Sequence, residues 1–354
     1  MRLKIKTNNG ILFVGSFLPT NVGTRSVGEE IAIRLAQKGW NTFLTSRQSW
    51  RVLRLLEMLF STYQNRHNYQ IAYVEVYSGL AFIWAELVVR LLAHLGKPIL
   101  LALHGGGLAE FAQKYPARIT SLLNYAKVVV TPSQFLIGHL QFYSKELLYI
   151  PNAVNVEQYP FKLRNLIAPR LIWLRAFHSI YQPDLTVQII AILRSEFEDI
   201  HLTMIGPDKG DGSLTKVQSL IQEKQLRSNI SIIGAIPKNE VPEQLAKGDI
   251  FINTTLYESF GVSVLEAALV GLPIVTTAVG ELLNLWEDRQ TALIVHSDDP
   301  QKMADAIRLL LTEPEMAKKL SLNARHKAEQ YDWSVILPQW EHLFQELINK
   351  GNPN

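Results

Sequence analysis

Short apolar runs alternate with helical patterns along the whole chain, and no other feature narrows its possible architecture as much. The run Ile11–Phe17 ends ahead of Pro19. A helical pattern then extends from Val27 to Lys38, with Ile31, Leu35 and Ala36 on one face and Gly39 as its stop. Further strands are expected at Ile71–Val76, Pro98–Leu103, Lys127–Thr131 and Leu147–Ile150. After Pro151 the pattern restarts, with strands at Arg170–Leu174, His201–Ile205, Ile230–Ile233, Asp249–Asn253, Pro273–Thr277 and Ala292–Val295. Helices fall between them at Asp184–Leu193, Gly212–Lys224, Glu240–Ala246, Val262–Val270 and Pro300–Leu311. Such alternation builds a parallel sheet covered on both faces. A chain of 354 residues exceeds what one core organises. Two doubly wound α/β domains are therefore expected, over residues 1–155 and 165–332, facing a cleft toward which the strand carboxyl ends point. Ile150–Ile167 is weakly periodic and reads as the linker. A last, aromatic-rich helix over residues 333–350 is expected to pack back on the first domain.

The absence of cysteine excludes disulfides and thiolate metal sites and suits a reducing compartment. Met1–Gly10 lacks the apolar core of a signal peptide. The longest apolar stretch, Ile71 to Leu95, carries Glu75, Glu86, Arg90 and His94, which suits two buried elements in succession better than a membrane span. A cytoplasmic protein is expected. The net charge of +3 hides an asymmetry: through Ile150 there are 16 Lys and Arg against 7 Glu and no Asp. A half this basic points to an anionic partner. The basic residues are scattered, with no recognition motif, so nucleic acid is not expected.

The most informative stretch runs from Asn253 to Pro273. A buried strand ends near Asn253, a helix begins near Val262, and Gly271 stands where a left-handed cap would end it. The amides of Phe260, Gly261 and Val262 thus collect at a helix N-terminus, where unsatisfied N–H groups and the dipole favour an anion. Gly261 allows close approach to the backbone. Glu258 and Glu266 flank the turn. A carboxylate there accepts hydrogen bonds from vicinal hydroxyls rather than binding phosphate, although each alone also fits a solvated carboxylate at a helix end.

Glu258-Ser-Phe-Gly-Val-Ser-Val-Leu-Glu266-Ala, followed by Gly271-Leu-Pro273, resembles the E-x7-E signature of family 4 retaining glycosyltransferases. The resemblance implies a GT-B fold of two Rossmann-like domains. Phe17-Leu-Pro-Thr-Asn-Val-Gly23, Val128-Val-Val-Thr-Pro-Ser133, Ile150-Pro-Asn-Ala-Val-Asn155 and Ala278-Val-Gly-Glu281 are similar to further family markers. It implies that Glu258 contacts the donor sugar and Glu266 the ribose, with Ser259, Phe260, Gly261 and Val262 holding sugar and diphosphate. Gly23 would approach the phosphates. His104, followed by Gly105 and Gly106, would reach the sugar, and Arg175 would clamp the diphosphate. The family's lysine five residues later is Ile180 here, and no lysine lies between Arg170 and Lys209. Cations there stabilise a departing diphosphate, so either Tyr181 or His178 donates instead, or Lys209 reaches in from an adjacent loop, or the donor is not an ordinary nucleoside diphosphate sugar.

No metal-binding Asp-x-Asp precedes a strand end, and Asp298-Asp299 reads as a helix cap before Pro300. The resemblance implies retention of anomeric configuration. Transfer is expected to need no metal and no cofactor beyond the nucleotide sugar. The expected acceptor is a glycan or lipid-linked hydroxyl, an anionic one included, met by the basic first domain in cell-surface polysaccharide or glycolipid synthesis. The stretch Arg47 to Phe60 sets Arg47, Arg51 and Arg54 beside Trp50, Leu53, Leu56 and Phe60. It reads either as a surface helix packed on the sheet or as a peripheral contact with the inner face of a membrane. A GT-B epimerase or phosphorylase, and a non-catalytic sugar-nucleotide-binding protein, are the rival readings.

Overall fold

In the first half, strands and helices follow in the order β1 (Gly10–Val14), α1 (Val27–Gln37), β2 (Asn41–Thr45), α2 (Arg51–Gln64), β3 (Ile71–Val76), α3 (Ala81–His94), β4 (Ile99–Leu103), α4 (Leu108–Lys114), α5 (Pro116–Asn124), β5 (Val128–Thr131), α6 (Gln134–Leu140) and β6 (Leu147–Tyr149). This computed structural model describes residues 10–17, 25–143, 146–296 and 299–351. The chain divides into two units, Met1–Asn152 with Ser334–Asn354, and Ala153–Trp333.

The first unit holds a parallel sheet of order β2-β1-β3-β4-β5-β6. Its central strands are buried along their whole length, as parallel strands covered by helices must be. The strand order reverses between β1 and β3, which opens a crevice at their carboxyl ends. One face of the sheet is closed by the C-terminal helix: Phe344 meets Phe13 at 6.0 Å, Trp340 meets Tyr73 at 5.7 Å, and Glu341 pairs with Lys38.

The second unit runs β7 (Arg170–Leu174), α7 (Pro183–Leu193), β8 (His201–Ile205), α8 (Ser213–Glu223), β9 (Ile230–Gly234), α9 (Val241–Ala246), β10 (Ile250–Asn253), α10 (Val262–Val270), β11 (Ile274–Thr277), α11 (Leu282–Leu285), β12 (Leu293–Val295), α12 (Pro300–Thr312) and α13 (Pro314–Glu329); α14 (Trp333–Gly351) follows. Its parallel sheet has the order β12-β11-β10-β7-β8-β9 and reverses between β7 and β10. All six strands expected here are present within a residue or so at their ends.

Residues 153–167, read from the sequence as a linker, lie on this second unit. The Val154 N–H donates to the Tyr331 carbonyl (2.9 Å), and Tyr159 is buried. Arg164 is buried too and donates to the carbonyls of Gly248 (2.8 Å), Lys162 (2.9 Å), Gly271 (3.1 Å) and Val270 (3.3 Å), while pairing with Asp249 at 3.2 Å. Three elements have no sequence signal to match, one of them the four-residue α11. β2 is an edge strand, half-buried for most of its length, and α13 buries mostly small residues such as Ala317, Ala324 and Ala328.

Candidate functional site

β7 and β10 end side by side at the reversal of the second sheet, and their loops are stitched together. Trp173 Nε1 donates to Thr254 Oγ1 (3.0 Å), whose hydroxyl donates to the Tyr181 carbonyl (2.7 Å). The Leu256 N–H donates to the Ile180 carbonyl (2.8 Å), and Thr277 Oγ1 donates to the Thr255 carbonyl (2.6 Å). Every buried hydroxyl in this seam thus meets a partner, which fixes the backbone that follows each strand.

Arg175 and Glu258 meet across that seam. The guanidinium pairs with Glu258 Oε2, donates through Nε to Asn253 Oδ1 (3.1 Å), and lies 5.4 Å from the centre of the Tyr181 ring. Both charged groups are mostly shielded from solvent. Of the three stand-ins considered for the missing lysine, Tyr181 alone touches Arg175. His178 accepts through Nδ1 from the Ile180 N–H (3.2 Å), and its Nε2 lies 3.8 Å from Asp211. The Asp211 carboxyl lies well below the usual range because the Ser179 amide and Ser213 donate to it. Lys209 donates from its backbone to the Phe177 carbonyl, and the residue is exposed.

The helix after this seam begins and ends as its glycines suggest. Gly261 caps α10 at φ 95° and Gly271 closes it at φ 86°, both left-handed. Glu258 Oε1 accepts from the Phe260 N–H at 3.3 Å, so that amide is engaged by the chain itself. The amides of Gly261, Val262 and Ser263 make no hydrogen bond among the described residues. Ser263 Oγ is buried without a partner. An unmatched hydroxyl beside unmatched amides at a helix N-terminus is the chemistry of an anion or sugar site. Ser259 is half-buried, whereas the Phe260 side chain is fully buried against Tyr331 at 5.7 Å. Phe260 therefore offers a ligand its backbone only. Gly280, at φ 53°, abuts this turn: a Cβ there would stand 2.1 Å from the Glu258 carbonyl oxygen. The same carbonyl accepts from the Glu281 N–H at 3.0 Å, so the α11 loop holds Glu258 from behind.

Glu266 is only 2% exposed. Its Oε1 accepts from Tyr159 Oη (2.7 Å) and from Lys238 Nζ. Burial, and then the Glu266 charge, push the Tyr159 hydroxyl far above its usual range, so it stays a donor. Lys238, Tyr159 and Ser263 are absent from the sequence-based site; the first two reach Glu266 from other elements, which no motif spacing reports.

Two expected residues belong to the first unit. Gly23 lies outside the described residues. His104 follows β4, is buried, and stacks on Tyr77 at 5.5 Å, with Nε2 3.4 Å from Tyr73 Oη. Burial lowers its pKa to about 4, so it is neutral at ordinary pH. On the neighbouring strand Glu75 is buried as well. Its Oε1 accepts from Ser26 Oγ (2.8 Å) and the Gly28 N–H (3.0 Å), while Oε2 makes no hydrogen bond. Burial raises its pKa to about 7 despite these donors.

Residues 168–327 match the family described as glycosyl transferases group 1. A D-inositol 3-phosphate glycosyltransferase of Corynebacterium aurimucosum is 26% identical over 175 residues, 49% of this chain and 42% of that one. The GPI3 subunit of the Saccharomyces cerevisiae phosphatidylinositol N-acetylglucosaminyltransferase is 30% identical over 175 residues, 48% of this chain and 37% of the subunit. The chain thus spans less than half the length of these relatives. Among solved structures, sucrose-phosphate synthase from Thermosynechococcus elongatus superimposes with a TM-score of 0.78 at 17% identity, covering 97% of this chain and 100% of that one. HepE of Anabaena, in complex with UDP and glucose, gives 0.75 at 15% identity, over 95% and 99%. At such identities the structural likeness establishes the fold alone, and the family match is confined to residues 168–327. Residues 168–327 are thus similar to the glycosyl transferases group 1, and the two units each have the Rossmann-like architecture of the GT-B fold.

Proposed function

We propose that this protein is a retaining, metal-independent glycosyltransferase that moves a hexose-type sugar from a nucleotide sugar to an acceptor hydroxyl. The observation that carries the proposal is the start of α10: three amides and the Ser263 hydroxyl stand without partners, flanked by Glu258 and Glu266. The amides would take the diphosphate, Glu258 the sugar hydroxyls and Glu266 the ribose. Arg175, held by Asn253 and Glu258, would meet the charge that develops on the leaving diphosphate, with the departing phosphate taking the acceptor proton on the same face. His104, neutral and buried, would act as a hydrogen-bonding group toward the sugar rather than as a cation. The proposal includes no cofactor besides the donor. HepE of Anabaena is described with UDP and with UDP-glucose, which puts uridine diphosphate sugars first among donors to try. The named substrates of the curated relatives, inositol phosphate and phosphatidylinositol, favour a glycan or lipid-linked acceptor at the inner face of a membrane.

A thermal-shift screen of nucleoside diphosphates and their sugars, followed by donor hydrolysis assays, tests the reading. Donor hydrolysis that falls about a hundredfold in Arg175→Ala and in Glu258→Gln supports it. The isoleucine at position 180 favours one rival, a binding protein without turnover. Tight donor binding with no hydrolysis and no transfer would establish that rival instead.

A further inference from the structure

We propose that the outward face of α2 docks on the surface of an anionic lipid bilayer. This rests on the reading of the protein as a transferase with an anionic or lipid-linked acceptor and names the surface that would bring it there.

α2 is attached to the first unit by one narrow side. Arg54, Met58 and Thr62 are its buried residues. The opposite side carries Trp50, Val52, Leu53, Leu56, Phe60 and Tyr63, all exposed, with Trp50 at 76% and Phe60 at 63%. At 100° per residue the five helical positions among these fall within an arc of about 100°, a stripe of the width that a globular helix normally buries. Residues this large seldom stand together on a surface that meets only water. No element among the described residues of the unit covers them.

The charges around the stripe indicate what does. Arg47 and Arg51 are exposed at its start, and Arg66 lies at its end with its guanidinium 4.1 Å from the centre of the Tyr63 ring. α2 has one acidic residue, Glu57, and Ser46 Oγ donates to it. An apolar stripe with cations at both ends and a tryptophan and a tyrosine at its limits matches the headgroup boundary of an anionic bilayer. The half of the chain that carries it is basic, with nine more cations than anions through Ile150. No helix among the described residues is long and apolar enough to cross a membrane, so this contact is with the surface.

One residue expected in the lipid-facing set is not part of it. Arg54 is buried beneath the helix, where it donates to Ser16 Oγ (2.6 Å), the Gln48 carbonyl (2.7 Å) and the Ser49 carbonyl (2.9 Å) and packs on Trp84. Its spacing of four from Met58 sets it on the buried side with Met58 and Thr62, and its three acceptors hold it there. It anchors α2, and a variant at Arg54 would test folding rather than docking.

Co-sedimentation of the full chain with phosphatidylglycerol–phosphatidylcholine vesicles, against pure phosphatidylcholine, tests the proposal. Binding to the anionic vesicles is expected, with a fall of about tenfold or more in Arg47→Ser/Arg51→Ser, since each cation near such a surface is worth about fivefold. Leu56→Ser/Phe60→Ser should remove binding at all lipid compositions while leaving the melting temperature and nucleotide binding unchanged. Three results would each overturn the docking: equal binding by wild type and Leu56→Ser/Phe60→Ser, no binding to anionic vesicles, or light scattering that shows a dimer dispersed by Leu56→Ser/Phe60→Ser. Nucleotide binding is measured in the same preparation, so loss of the donor reading and loss of the docking are told apart.

Discussion

Replacing Glu75 by glutamine should change how the stability of this protein depends on pH. Glu75 has a folded pKa near 7 against an ordinary 4.5, so folding opposes its ionisation. Below 4.5 the carboxyl is protonated in both states and has no effect. As pH rises from 4.5 to 7 the unfolded chain loses this proton first, and folding becomes less favourable. The full penalty, about 3 kcal/mol at 1.36 kcal/mol per pH unit, is present above 7. His104 acts in the opposite sense. Its folded pKa is near 4 against 6.5, so its stabilising neutrality is fully present above 6.5 and is lost as pH falls toward 4, again by about 3 kcal/mol. The two slopes nearly cancel between 4.5 and 6.5 in the wild type. Glu75→Gln keeps an acceptor for Ser26 and Gly28 and removes one slope only. Groups facing the carboxyl, namely Glu29, Tyr73 and Tyr77, are common to both proteins. Urea unfolding at pH 4.5, 5.5, 6.5 and 8 should show the variant gaining on the wild type by about 3 kcal/mol across the series. A difference that stays constant with pH would refute the assignment of a buried carboxyl with one unmatched oxygen at this position.

Other variants probe the second unit. Glu266→Gln should weaken nucleoside diphosphate binding about tenfold, the worth of a hydrogen bond to a charged group, and leave inorganic diphosphate binding unchanged by calorimetry. Gly280→Ala combines a left-handed φ with a Cβ set against the Glu258 carbonyl, so it should cost about 1–3 kcal/mol in chemical denaturation and lower donor affinity together with stability. Arg164→Met leaves the buried Asp249 with Arg170 as its remaining ion pair and frees several carbonyls, with an expected loss of about 3 kcal/mol by the same measurement.

The inner strands β7, β10 and β11 were legible because both of their faces are covered, so they are buried almost throughout, whereas β8 and the edge strand β9 alternate. α10 was legible to the residue because its two ends are glycines that the backbone uses in the left-handed region. The resemblance put Arg175 and Glu258 at the donor separately, and their pairing was not foreseen, since 83 residues separate them. Lys238 and Tyr159 were hidden for the same reason, lying 28 and 107 positions from the carboxylate they serve. Glu75 shows a different limit. In sequence it is one charge in an apolar stretch, and only the crossing of α1 over the strand ends reveals that it is buried with one oxygen unmatched. Arg54 reads as one of three cations with Arg47 and Arg51, yet its spacing from Met58 and Thr62 puts it on the buried side, where three acceptors hold it.

The rear of α10 bears on its front. Arg164 takes the Val270 and Gly271 carbonyls, Arg325 takes that of Leu269, and Ser321 Oγ donates to Gly271 at 2.8 Å. The last turn of the nine-residue helix is therefore clamped by side chains from two other segments. A helix this short is marginal by itself, and its free end would fray. With the tail secured, the amides at the other end, about 13 Å away at 1.5 Å per residue, keep their direction before any ligand arrives. A donor entering there has little ordering left to impose, so its binding entropy should be governed by released water and its own torsions. Loosening Arg325 would be felt as slack at the anion-binding end, a kinetic lesion produced a full helix length from the chemistry.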